Sequence, residues 1–322
     1  MRCWQLNVKE IRMSRHAGTV RAQFGLYLRR PWAYIDLTMM TTRRQALAVL
    51  LPAALATGLA GCMPPSWGAG GLLHPGKRSP TRKPTRAHES VELQGEGVKL
   101  AAWKYPAEGE RRGTVIYLHG AADNRGSSLS VADHFVPPGF DVIAYDSRAH
   151  GDSEGKYCTY GFYEKRDLIK MLDGLPPGPV VLLGSSLGAA VALQTAAIEK
   201  RITAVISIAT FSDLRTVGTE RAPFVASAAN IRDAFAIAEK RASFSVDEVS
   251  PMAAAPAITA PVLLFHGKDD DEAPPAHSQR VFDALVAKKE LILVPDAGHN
   301  LHLDAAAWKR IDAFVRDALS SK

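Results

Sequence analysis

The segment Gly184-Ser185-Ser186-Leu187-Gly188 carries the sharpest chemical signal in the chain. It follows the apolar run Val180 to Leu183 and opens an alanine-rich stretch, the context of a strand, a tight turn and a helix. Gly184 and Gly188 supply the small side chains such a turn demands, and the G-x-S-x-G register selects Ser186 over Ser185. A serine hydroxyl held there becomes a nucleophile once a base takes its proton and an acid orients that base. Downstream, one apolar run leads into Lys268-Asp269-Asp270-Asp271-Glu272. The next leads into Ala297-Gly298-His299, with His302 close behind. Both groups fall just past expected strand ends, where open α/β sheets place their sites. Spacing alone leaves open which acid and which histidine serve Ser186.

Stepping outward, the elements that must position these residues are legible from Glu89 onward. Residues 91–104 read as two antiparallel strands around Gly95-Glu96-Gly97. Six further runs, 114–120, 141–147, 179–185, 204–210, 261–267 and 290–296, are rich in Val, Ile and Leu without strict alternation, as strands buried on both faces should be. Amphipathic stretches lie between them, at Tyr163 to Leu175, Leu187 to Glu199, Ala276 to Lys288 and Asp304 to Leu319. Alternating β and α units imply an α/β fold with a mostly parallel central sheet and helices on both faces. Residues 211–260 form a small cap insertion of two or three helices. Its Phe211, Leu214, Phe224, Val225, Ile231 and Phe235 read better as the inner faces of ordinary helices than as an acyl pocket.

Residues 89–322 resemble the α/β-hydrolase family. His266-Gly267-x-x-Asp270-x-x-x-Pro274 is similar to the segment that carries the family's acid, which implies Asp270 as acid. Gly298-His299 is similar to the family's base segment, which implies His299. Leu118-His119-Gly120-Ala121-Ala122 resembles the oxyanion segment, implying that the backbone N–H groups of Ala121 and Leu187 face the developing oxyanion. Asp146 to Ser153 resembles the D-x-R-G-H-G-x-S loop, with Ala149 in place of a glycine. The resemblance gives His119, His150 and His266 turn-shaping roles. Residues 157–167 are similar to a stretch of the esterase-like and Bem46-like branches, and Cys158 within it reads as a small buried residue. The implied chemistry is acyl transfer through Ser186, with neither metal nor organic cofactor.

The net charge of +6 is unevenly spread. Residues 1–61 carry +7, residues 62–88 carry +5 and residues 89–322 carry −6. An acidic domain argues against nucleic acid as a partner. Arg43 and Arg44 precede an uncharged apolar stretch that ends at Leu59-Ala60-Gly61-Cys62, the anatomy of an export signal. That ending resembles the lipobox of bacterial lipoproteins, in which the cysteine is lipidated. Residues 40–61 are therefore expected to be a signal peptide. Residues 62–88, with five prolines from Pro64 on and no acid, are expected to be a lipid-anchored flexible linker that starts at Cys62. Residues 1–39 show no clean period and are expected to be an upstream extension without a fold. The expectation is a membrane-anchored serine hydrolase of the bacterial cell envelope, acting on small-molecule or lipid carboxylic esters. A serine peptidase and a non-catalytic lipoprotein binding module are the alternatives. Dehalogenase and epoxide-hydrolase chemistry, which needs an Asp at the elbow, is excluded by Ser186.

Overall fold

The computed structural model describes the backbone of residues 8–16 and 19–26, and residues 64–320 throughout. Residues 40–61, expected to be a signal peptide, and Cys62 lie outside the described residues. Of the described residues, 68–221 and 234–320 form one compact unit. The hairpin strands, 64–67 and 222–233 group separately. In that second group, β1 (Val8–His16) and β2 (Thr19–Leu26) pair antiparallel. This corrects the expectation of no fold in 1–39. Val20, Ala22, Phe24 and Leu26 alternate with Thr19, Arg21, Gln23 and Gly25, a period of two that suits a strand.

The main sheet has eight strands. They are β3 (Glu89–Gln94), β4 (Lys99–Tyr105), β5 (Gly113–Leu118), β6 (Phe140–Tyr145), β7 (Val180–Ser185), β8 (Ile202–Ile208), β9 (Val262–Gly267) and β10 (Lys289–Val294). Their spatial order is β10-β9-β8-β7-β5-β6-β4-β3. Pairings from β10 through to β6 are parallel, while β4 joins β6 and β3 joins β4 antiparallel. Every residue of β5, β8 and β9 is buried, which explains why their sequences are rich in Val, Ile and Leu and do not alternate with exposed polar residues.

One face of the sheet packs on α3 (Glu164–Leu172), α4 (Leu187–Ile198) and α8 (Ala276–Ala284). The other packs on α2 (Leu129–Phe135) and α9 (Ala305–Ser320). The α/β expectation, the strand count and the helix positions agree with this architecture. The chain runs from β5 to β6 on one side and then to β7 on the other. The switch point where such sheets bind ligands is thus between β5 and β7.

The insertion after β8 holds α5 (Leu214–Glu220), α6 (Ala228–Ala242) and the short α7 (Pro251–Ala254). Phe211, Leu214 and Phe235 are buried, as inner faces should be, whereas Phe224 is 57% exposed. The expected flexible linker is corrected from Pro64 onward. Helix α1 (Pro65–Leu73) forms, Ala69 and Leu73 are fully buried, and residues 73–86 bond to the domain. Full burial of one leucine contributes roughly 1.5–3 kcal/mol. The Pro/Gly-rich composition therefore reflects an extended path over the surface and not a free coil.

Candidate active site

Ser186 sits at φ 51°, ψ −111°, between β7 and α4. Such a left-handed backbone is costly for a residue with a Cβ and is held by its surroundings. The Ser186 N–H donates to the Ile208 carbonyl at 2.8 Å, and the Ala190 N–H donates to the Ser186 carbonyl at 3.1 Å. Gly188 is required by close approach: a Cβ there would stand 2.1 Å from the Leu118 carbonyl oxygen. One at Gly184 would meet the Gly188 backbone at 2.4 Å. The elbow, β5 and the first turn of α4 are thus interlocked through glycine.

The second half of the site hangs from β9 and β10. Past their ends the two loops are zipped together by Lys268 N–H to the Val294 carbonyl and Asp269 N–H to the Ala297 carbonyl, each 2.9 Å. Gly267 permits this, since a Cβ would lie 2.2 Å from the Ala297 oxygen. The zipped loops bring Asp270 and His299 together. His299 Nδ1 lies 2.7 Å from Asp270 Oδ2, and His299 Nε2 lies 2.8 Å from Ser186 Oγ. Asp270 is fully buried at its side chain and His299 is 10% exposed.

The Asp270 carboxylate accepts several further bonds. The backbone N–H groups of Glu272 and Ala273 donate to Oδ1 at 2.9 Å each, and His266 Nε2 lies 3.0 Å from Oδ2. Burial alone pushes the carboxyl pKa up. The bonds from His266, His299 and the Ala273 N–H outweigh it and hold Asp270 well below the usual carboxylate range. The Ser278 hydroxyl donates to His266 Nδ1 at 2.6 Å, which leaves the proton on Nε2, shared between Asp270 and the Ala273 carbonyl. Sequence reasoning gave His266 only a turn-shaping role, and its contact with Asp270 went unseen. The i,i+4 spacing His266–Asp270 was the available signal.

The other candidate acids and His302 stand apart from Ser186–His299–Asp270 in the structure. Asp269 and Asp271 are exposed, Glu272 pairs with Arg221 at 2.8 Å, and His302 is exposed. On the β5 side, Gly120 lies against the nucleophile: a Cβ there would be 3.6 Å from the Ser186 Cβ. The N–H groups of Ala121 and Leu187 have no backbone acceptor among the described residues. Leu187 opens a helix, whose first N–H groups are left free by construction. His119 is buried, donates from Nδ1 to the Gly120 carbonyl and accepts the Ser147 N–H at Nε2. Burial and the neighbouring His150 lower its pKa to about 4, so it is a neutral strut for this turn. Ala149, which stands where the resemblance expects glycine, takes φ 61°. Cys158 is fully buried, and burial raises its thiol pKa.

A separate serine–histidine–carboxylate chain, sharing no residue with Ser186–His299–Asp270, lies between the cap and α8. Ser212 Oγ is 2.8 Å from His277 Nδ1, and His277 Nε2 is 2.8 Å from Glu220 Oε2. The Ser212 N–H and the Arg280 guanidinium also point at Nδ1, so the proton sits on Nε2 and is donated to Glu220. Ser212 and His277 are fully buried. No motif in the sequence marks this group. Among the described residues no cluster of His, Cys, Asp and Glu could hold a metal, and no helix is long and apolar enough to cross a membrane.

Residues 113–257 match the family described as alpha/beta hydrolase fold, and residues 250–306 match serine aminopeptidase, S33. Over 196 residues the chain is 33% identical to the uncharacterized protein YqkD of Bacillus subtilis. That match covers 58% of this chain and 64% of the relative, just under two thirds of its length. Among solved structures, a Pyrococcus furiosus esterase superimposes with TM-score 0.59 at 24% identity, over 75% of this chain and 98% of that one. A Pyrococcus horikoshii acylaminoacyl peptidase superimposes with TM-score 0.56 at 14% identity, over 74% and 42%. At these identities the two structures speak for the fold alone.

Proposed function

Because the chain belongs to the α/β-hydrolase family, we propose that it is a serine hydrolase of carboxylic esters, working through Ser186, His299 and Asp270. The observation that carries this reading is the unbroken line from Ser186 Oγ through His299 to the buried Asp270, at 2.8 and 2.7 Å. In this mechanism His299 Nε2 takes the Ser186 proton as Oγ bonds to the ester carbonyl carbon. Asp270 keeps the proton on Nδ1 and stabilises the imidazolium. The Ala121 and Leu187 N–H groups receive the oxyanion, each worth roughly 3 kcal/mol in the transition state. The carbonyl re-forms, the C–O bond to the alcohol breaks, and His299 returns the proton to the leaving oxygen. Water, deprotonated by His299, then releases the acid from Ser186.

The match of residues 250–306 to serine aminopeptidases favours a peptidase as second reading. An aminopeptidase holds the α-ammonium of its substrate with a free acidic group. In the cap, Asp213 caps α5, Glu220 serves His277, Asp233 lies against Arg232, Glu239 accepts the Val246 N–H and Asp247 pairs with Arg215, while the sixth acid, Glu248, is exposed. These engagements favour esters. The test is hydrolysis of p-nitrophenyl acyl esters beside aminoacyl p-nitroanilides, with Ser186→Ala as control. Ester turnover lost in the variant is expected, and anilide turnover exceeding ester turnover would replace the esterase reading by the peptidase one.

The same proposal places the domain at the cell envelope on a lipid attached to Cys62. The support is the Arg43-Arg44 pair, the apolar stretch and the closing Leu59-Ala60-Gly61-Cys62. Cys62→Ser is expected to abolish fatty-acid labelling, and labelling that persists in the variant would refute the anchor.

A further inference from the structure

The structure assigns residues 73–80 a working part in catalysis: we propose that this arm clamps the turn carrying the Ala121 N–H donor and so sets its position against Ser186. The assignment rests on the oxyanion role proposed above for Ala121. The arm runs between two loops and bonds to both. On one side, the Cys158 N–H donates to the Leu73 carbonyl at 3.0 Å, and the His74 ring lies 5.4 Å from that of Tyr157. Lys77 Nζ donates to the Ser153 carbonyl and the Ser79 hydroxyl to Asp152. On the other side, the arm passes alongside Ala122 and makes one hydrogen bond to the segment that follows the oxyanion turn. A methyl on Gly76 would stand 3.8 Å from the Ala122 Cβ. Asn124 Nδ2 donates to the Arg78 carbonyl at 3.1 Å. A Cβ at Gly126 would be 3.3 Å from that of Pro80.

The turn needs an external support. Ala122, next to the donor, has φ 59°, a conformation that a non-glycine residue holds only when its surroundings impose it. From the inner side the turn is braced by His119, and from the outer side by the arm. The far anchor of the arm is Leu73, fully buried. A shift of the Ala121 N–H by a fraction of an ångström would leave substrate binding intact and weaken the bond formed only in the transition state.

The test is made in the full chain. Asn124→Ser keeps a side-chain oxygen able to cap the following 3-10 turn Arg125–Ser128 but no longer reaches the Arg78 carbonyl. Lys77→Met with Ser79→Ala releases the arm from the other loop. The triple variant and the Lys77→Met/Ser79→Ala double variant are compared with wild type by ester kinetics and by amide hydrogen exchange over residues 120–128. Expected are faster exchange in that segment and a kcat lower by about tenfold or more, with KM within about twofold. Unchanged exchange, or faster exchange with unchanged kcat, overturns the proposal. An unfolded triple variant leaves the double variant to decide on the same readouts. Wild type that never turns over any ester sinks the oxyanion reading and the positioning role of the arm with it, whereas active wild type with unaffected variants sinks the arm alone.

Discussion

Ser186–His299–Asp270 and Ser212–His277–Glu220 are both serine–histidine–carboxylate chains, and their burial is inverted. In Ser186–His299–Asp270 the acid is sealed and the serine stands on a strained turn at the sheet edge. In Ser212–His277–Glu220 the serine is sealed and the acid is 39% exposed. Their electrostatics differ as well. A histidine acting as base at Nδ1 of His277 would become an imidazolium 3.3 Å from the Arg280 guanidinium. His299 instead presents Nε2 to its serine with a carboxylate behind it. The second chain joins Ser212 and Glu220, at the two ends of the α5 segment, to α8, and it is a cross-brace. Residue identity and hydrogen-bond distance are thus insufficient evidence for a nucleophile. Accessible serine, buried acid and a site where positive charge can form are the deciding features.

The contrast breaks first at the serines. Ser186→Ala is expected to lower ester turnover by about 10⁴- to 10⁶-fold. Ser212→Ala should leave turnover within about twofold and cost on the order of 1 kcal/mol of stability, read from urea unfolding. Equal losses of turnover would erase the distinction. The acids sharpen it next. Asp270→Asn should reduce kcat by about 10⁴-fold through the wrong histidine tautomer, while Glu220→Gln should leave kcat unaltered. A smaller effect belongs to His266, whose replacement by Phe removes one donor from Asp270 and should lower kcat by roughly tenfold.

The sheet, the elbow and the order Ser, Asp, His were legible because each leaves a local trace. Buried parallel strands read as apolar runs, and the tight turn reads as glycine at fixed spacing. The cross-brace left none. Ser212 and His277 are 65 residues apart, and neither lies in a periodic or glycine-marked context. The arm was misread for a related reason. Its composition lacks a core, yet Ala69, Leu73 and a few backbone bonds suffice to seat it.

The smallest effect concerns pH. Burial lowers His277 below its ordinary range and takes His119 down to about 4. The unfolded chain therefore binds protons that the folded chain refuses. The stability from neutral His119 is complete above about pH 6.5 and is lost as pH falls toward about 4, and neutral His277 adds a loss of the same sign as pH falls below the ordinary histidine range. Urea midpoints should decline across that window. His277→Gln should shallow the slope, and a flat profile would mean that both rings are protonated in the fold.

The most direct measurement is peptide mapping of the chain after reaction with a fluorophosphonate. One adduct, on the peptide containing Ser186, absent in Ser186→Ala and never on the peptide containing Ser212, is the predicted result. No adduct in the folded wild-type chain, or an adduct that survives Ser186→Ala, would contradict the assignment of Ser186 as the activated nucleophile.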